Sequence, residues 1–264
     1  MPRAPWGWLV EPAELNQWLL YEDADLIALN KPAHLVCHPS KHGPWSSLAG
    51  ACRQHWRLEK VHLPSRLDRE TSGIVVLARH QPAASRLQQA MARRQVHKVY
   101  HALLYGQLRH PVTVTAPVGR SPGATVIARR DVLHTGGQPA MTTFEPLAAT
   151  RELTLARVLP LTGRRHQIRV HARALGHPIV GDKLYAFDER LFLEFLETGW
   201  TPRLASLLWL DHHALHCSHW RVHDLTRDYV FVAPLPLSWQ PLLERHGLAG
   251  AAQNALKFAP RPAE

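Results

Sequence analysis

The sequence predicts an α+β fold with a mixed, largely antiparallel central sheet and flanking helices. Three observations predict it. Short β-branched runs such as Ile74-Val75-Val76-Leu77-Ala78 recur along the chain as buried strands would. Helical patterns lie between some of these runs but not all, so strict βαβ alternation is absent. Residues 111–160 alternate β-branched runs with Gly/Pro turns (SPGA, HTGGQP), the pattern of antiparallel strands. With 264 residues, 45% of them hydrophobic, the chain can bury a sizeable core in one domain or two joined lobes.

Taken in order, residues 1–20 hold Trp6, Trp8 and Trp18 and read as a packed lead-in to a domain spanning 21–248. Asp25–Asn30 is a strand, stopped by Lys31-Pro32. Residues 38–46 are a loop, and Ser46 or Ser47 caps a helix running to about Trp56. Strand 74–78 is followed by a helix over PAASRLQQAMARR, with Pro82 in its first turn and basic residues at its end. Lys98–Leu104 is a strand closed by Gly106. His166–Leu175 is a helix with Ile168, Ala172 and Leu175 as its apolar stripe and Gly176 as its stop. Residues 188–210 form a helical insertion, 229–232 a strand and 238–246 a short helix, while 249–264 form a mobile tail.

Charge narrows the partner. The net charge is +10, and it is uneven: residues 1–181 hold 23 Lys and Arg against 11 Asp and Glu, whereas residues 182–264 hold 8 against 10. A basic surface on the first two-thirds suits nucleic acid, where phosphate neutralisation dominates affinity, although a basic surface also serves solubility. Cys37, Cys52 and Cys217 are far apart and odd in number, so neither a zinc ribbon nor a disulfide framework is supported and a reducing cytoplasm fits. The N-terminus lacks the apolar core of a signal peptide, and no run of about 18 apolar residues would span a membrane.

The chemistry concentrates at Asp68, in RLDRETSG. From Thr71 to Arg130 there are nine Lys and Arg and no acid, so a carboxylate at the head of this run stays ionised. An anion facing a polyanion binds it poorly but serves as a nucleophile or base. Two further segments join it: HKVYHALLYG, with Tyr100, and LTGRRHQIRVHARALGHPIVGDKLY, with Arg164, Arg165, His166 and Arg169. Each alone has an ordinary structural reading, as a turn residue, a strand aromatic and solvated arginines.

In this order and spacing, the three segments resemble the RluA-type family of RNA pseudouridine synthases. The resemblance also takes in YEDADLIALNKPAHLVCHPS (21–40) and spans roughly residues 20–236. It implies a pseudouridine synthase fold with a cleft carrying the catalytic Asp. It implies an enzyme that isomerises uridine in structured RNA by flipping the base out, breaking N1–C1′, rotating the base and forming C5–C1′, with no cofactor and no metal. Carried over by motif, Asp68 is the catalytic aspartate, Tyr100 stacks on the uracil and assists loss of the C5 proton, and Arg169 pairs with the catalytic carboxylate. Arg66 fills the space left by the flipped base. Arg164, Arg165 and His166 are read as substrate-binding, and Arg165 and Arg173 as backbone anchors, since guanidinium groups also satisfy phosphates. Whether Asp68 attacks C6 or C1′, or deprotonates C2′, stays open.

The sequence departs from the family where Ser65 replaces a frequent His, which touches packing or substrate contacts rather than the chemistry. About 20 residues precede the resemblance, too few for the small S4-like RNA-binding domain of many relatives, so RNA choice is expected to rest on the catalytic domain. The expected substrate is ribosomal RNA, with transfer RNA as the alternative, and no obligatory protein partner is implied. A non-catalytic RNA-binding protein on the same scaffold would lack Asp68, Tyr100 or Arg169, and all three are present. A nuclease or glycosidase would want clustered or paired carboxylates. The histidines of DHHALHCSHWRVHD (211–224) read as a two-faced strand rather than a metal site. Asp182, in GDKLY, reads as a turn residue rather than a second catalytic acid.

Overall fold

A computed structural model describes residues 8–38, 42–223 and 228–256. In chain order the elements are α1 (Pro12–Trp18), β1 (Leu19–Glu22), β2 (Leu26–Lys31), α2 (Leu48–His55), β3 (Ser72–Ala78), α3 (Gln81–Ala92), β4 (Val96–Tyr105), β5 (Val112–Thr115), β6 (Val118–Arg120) and β7 (Arg130–Val132). They continue with β8 (Met141–Ala149), β9 (Leu153–Pro160), α4 (Gln167–Ala174), α5 (Arg190–Thr198), α6 (Pro202–Leu208), β10 (Leu215–Val222), β11 (Tyr229–Val232), α7 (Gln240–Arg245) and α8 (Ala249–Ala255). The fold is α+β with a mixed sheet, as the sequence predicts. The chain divides into two compact units, one of residues 1–98 and 216–234, the other of residues 99–215 and 235–264.

In the first unit β1, β2 and β3 are antiparallel neighbours, and β3 then pairs parallel to β10 through Ser72–His216 and Gly73–Cys217. β11 returns antiparallel along the second half of β10. Every residue of β3 is buried, which accounts for its continuous apolar run. Ile27, Leu29, Val75 and Leu77 share one face and pack with Leu15, Leu35, Leu48 and Cys52 beneath α1 and α2. Each such fully buried aliphatic side chain contributes about 1.5–3 kcal/mol. Trp8 and Trp18 meet edge to face at 5.9 Å, giving the lead-in its packing, whereas Trp6 lies outside the described residues. Ser47 caps α2 by accepting from the amide of Gly50, and Pro82 sits in the first turn of α3 behind a His80 cap.

In the second unit β4, β9, β8 and β5 form an antiparallel ladder, with β6 and β7 as a separate two-stranded hairpin. The predicted insertion is two helices, α5 and α6, closed over Ala186, Leu191, Leu204 and Leu208.

The structure differs from the sequence reading in several places. β2 ends at Lys31, one residue beyond the predicted run and just before Pro32, and Lys31 is fully buried and paired opposite Gly73. His166 is not helical; it precedes α4 in a left-handed conformation with φ 57°. Residues 249–255, read as tail, form α8, whose Ala255 is buried, while 257–264 lie outside the described residues.

Gly73 fixes the sheet next to the Asp68 loop. Its φ is +107°, and a Cβ there would overlap the backbone of Cys217. Gly73→Ala should therefore cost about 3 kcal/mol or more through strain and overpacking. Urea unfolding of purified protein measures this, and a loss under about 0.5 kcal/mol, the range of a neutral surface change, would contradict the close approach.

Candidate active site

Asp68 sits in an irregular segment, residues 65–70, that precedes β3. Such a segment has no ladder of its own, so its backbone must be held by other groups. Lys31 supplies the principal hold. Its Nζ donates to the carbonyls of Pro32 (2.7 Å), Leu35 (2.9 Å) and Arg69 (3.1 Å). The Cys37 thiol donates to the Leu67 carbonyl at 3.4 Å, and the Thr71 amide closes a turn on the Asp68 carbonyl at 3.2 Å. Lys98 Nζ donates to Ser65 Oγ at 2.8 Å, so the position at which the sequence departs from the family is itself an anchor. Behind the loop, Ser72 Oγ meets His216 Nδ1 at 2.9 Å. The segment is thus tied on both sides of Asp68. Arg66 and Arg69 are exposed, and Asp68 is half-buried.

Burial pushes the Lys31 ammonium down to about 8, against the upward pull of Cys37, Asp68 and Glu70. Burial likewise lowers Lys98, against Cys217.

In the second unit Tyr100 is buried on β4, opposite Val158 of β9. Arg164 and Arg165 are exposed just before α4, and His166 is half-buried. Arg169 is 8% exposed and forms a two-pronged ion pair: Nε to Asp182 Oδ2 at 2.7 Å and Nη2 to Oδ1 at 2.8 Å. This engages one edge of the guanidinium and sets its plane. Asp182 is fully buried and also accepts the amides of Leu184 and Tyr185, both at 3.1 Å. It is the turn residue the sequence suggests, and in addition the counter-ion of Arg169. The Tyr185 ring lies against the other side of that group, with Arg169 Cζ 4.8 Å from its centroid.

The start of α4 is held by a saturated polar network. Gln167 Nε2 donates to Met141 O and Thr142 Oγ1, while its Oε1 accepts from Thr162 Oγ1 and the Arg164 amide. His171 donates from Nε2 to the Ala116 carbonyl at 3.0 Å and meets Thr142 Oγ1 with Nδ1 at 2.9 Å. Burial lowers its pKa, which favours the neutral ring this pattern uses.

The histidines of the 211–224 stretch take separate partners: His212 with Asp211, His216 with Ser72, His219 with Ser218 and His223 with Asp228. β10 is buried on both faces, so most of this polar run is interior. Lys31 and Tyr185 escaped the sequence reading as site residues. The available signals were a lysine inside an apolar strand and a tyrosine three residues after Asp182.

The sequence of residues 25–174 matches the family model for RNA pseudouridylate synthase, over half of the chain. The chain belongs to that family. The synthase is similar to "Uncharacterized RNA pseudouridine synthase YjbO" of Bacillus subtilis, with 35% identity over 89% of this chain and 78% of the relative. It is 31% identical to "Ribosomal large subunit pseudouridine synthase D" of Escherichia coli K12, over 89% of this chain and 72% of the relative. Among solved structures it is similar to human RNA pseudouridylate synthase domain containing 4, with TM-score 0.70, 26% identity and coverage of 89% of this chain and 95% of that chain. It is an RNA pseudouridine synthase of RluA type, with RNA as its substrate. No described helix is long and apolar enough to cross a membrane.

The Lys31 geometry sets a test. Lys31→Met leaves three inward carbonyls without their ammonium donor and should cost about 2 kcal/mol at pH 7. Below about pH 8 the ammonium is charged in the folded and unfolded chain alike. Between about 8 and the ordinary 10.5 the folded chain holds fewer protons at this site, so the wild type gains stability relative to Lys31→Met as pH rises. Denaturant titrations of both proteins at pH 7 and pH 9.5 measure this, and a difference that shrinks with pH would contradict it.

Proposed function

We propose that this synthase isomerises uridine in ribosomal RNA, with Asp68 as the catalytic carboxylate, Tyr100 as the stacking aromatic and Arg169 as the cation that keeps the carboxylate ionised. The observation that carries the reading is the fixing of the Asp68 backbone on both sides, by Lys31 through Arg69 and by Lys98 through Ser65. Catalysis by a single anion depends on its placement, and a pinned loop holds it before substrate arrives. Arg66, exposed two residues before Asp68, is suited to occupy the space a flipped base vacates. Arg164 and Arg165 are exposed beside the amides that open α4, where a phosphate is favoured, and His166 adjoins them.

The reaction balances within one nucleotide. The N1–C1′ bond breaks, the uracil turns, C5 bonds to C1′, the C5 proton leaves and N1 gains one. Stacking on Tyr100 retains the detached base at about 1–3 kcal/mol. Nothing in this scheme calls for a cofactor, so activity should survive excess chelator and dialysis. Ribosomal RNA is favoured over transfer RNA by the relative whose name places it on the large ribosomal subunit. The buried thiols Cys37, Cys52 and Cys217 suit a reducing cytoplasm.

Asp68→Asn keeps size and removes the anion. The purified variant should bind total RNA from cells lacking the gene while forming no pseudouridine, read by tritium release from 5-labelled uridine and by mapping the modified positions. Arg169→Lys keeps the charge and loses the fork, so turnover should fall by about a hundredfold with affinity little changed. Near wild-type turnover in Asp68→Asn would refute the assignment, and modified sites confined to transfer RNA would refute the substrate.

A further inference from the structure

Tyr185 holds three different parts of the second unit with three different parts of itself. Its amide donates to Asp182 Oδ1 at 3.1 Å, and its ring faces Arg169 at 4.8 Å. Its hydroxyl accepts the Arg130 amide at 2.8 Å and meets His166 Nδ1 at 2.8 Å. The side chain is 1% exposed and belongs to the core beneath the hairpin, with Val118, Val126, Val170 and Leu184. It therefore has little room to move independently of any partner.

One of those partners lies on a cationic strand pair. On the hairpin, Arg120 of β6 stands directly opposite Arg130 of β7, whose Nη1 donates to the carbonyls of Ile127, Ala128 and Arg129. Like charges in a cross-strand pair destabilise a two-stranded sheet. Arg120 is exposed, so a phosphate can reach it. His166 carries left-handed backbone, a conformation disfavoured in a residue with a Cβ. It is held there by the same hydroxyl that holds the hairpin. Glu189 fastens the neighbouring loop separately, accepting the amides of Thr125 and Val126 and pairing with Arg129 at 3.3 Å.

We infer that Tyr185 is a positioning residue that couples the arginine-bearing hairpin to Arg169, so that RNA phosphate held by the hairpin raises turnover and not affinity alone. The inference rests on the catalytic assignment of Arg169 proposed above. Hairpin engagement fixes Arg130, the hydroxyl fixes the ring, and the ring with Asp182 fixes the guanidinium plane. Asp182 provides an anchor for Arg169 that does not depend on the hairpin, so losing the hydroxyl should weaken the coupling without abolishing catalysis.

Tyr185→Phe deletes the hydroxyl and keeps the ring and core. With the full-length enzyme and ribosomal RNA from cells lacking the gene as probe, Tyr185→Phe should lower kcat by about tenfold, the scale of coupling between linked sites. Arg120→Ala should lower kcat and raise KM in the wild-type background. In the Tyr185→Phe background it should raise KM alone, because the link is already cut. A merely structural role for Tyr185 predicts that the kcat losses multiply, and that result overturns the inference, as does wild-type kcat in Tyr185→Phe. Should Tyr185→Phe fold poorly by thermal melting, Arg120→Ala in the wild-type background still tests the link: unchanged kcat there would overturn the inference. Wild-type enzyme that forms no pseudouridine would defeat the catalytic reading instead, which separates the two failures.

Discussion

The constraint on which the Asp68 segment depends is one buried ammonium. Residues 65–70 make no strand or helix, yet they carry Asp68, the carboxylate proposed for catalysis. Lys31 gathers carbonyls one, four and 38 residues away around a single point. Burying that charge is costly, and the downward shift of its pKa measures the cost. The carbonyl dipoles offset it, and the return is a loop whose backbone is tied to β2, a largely buried strand. Gly73 extends the same constraint, since only a residue without Cβ lets β3 approach β10 directly after the loop.

The second unit solves a similar problem with an ion pair. Arg169 lies on α4, a helix of eight residues, and a long flexible side chain on a short helix would ordinarily sample many rotamers. Asp182 holds one edge of the group and Tyr185 lies against one face, so part of that freedom is removed before RNA binds. The helix itself is registered by Gln167 and His171, whose polar atoms are matched to partners on β8 and on the loop before β6. A neutral His171 suits this pattern, because with Nε2 donating to the Ala116 carbonyl its bare Nδ1 accepts the Thr142 hydroxyl proton.

Much of this was legible in the sequence. The uninterrupted apolar run of β3, the Ser47 cap, Pro82, the Gly176 stop and the α5–α6 insertion follow from local rules that act over a few residues. What escaped depends on distant partners. Lys31 before a proline reads correctly as a strand end, but nothing local says that it is buried or that Arg69 O will come to meet it. Asp182 is readable as a turn residue from its own neighbours, but its ion pair is set by the way the chain turns back after α4. Ser72 and His216 are 144 residues apart, and only the parallel pairing of β3 with β10 brings them together. His166 was misread as helical because its left-handed backbone is held by a tyrosine nineteen residues on.

The Lys31 clamp grips main-chain oxygen atoms, which every amino acid supplies. Its hold on the loop is therefore indifferent to which side chains project from positions 66 and 69, both of which face solvent. A lineage, or a designer, can exchange the side chains exposed at these positions without re-engineering the anchor beneath them. Surface and geometry are in this sense separately inherited: changes can accumulate at the exposed positions while the Asp68 backbone between them stays where the ammonium put it.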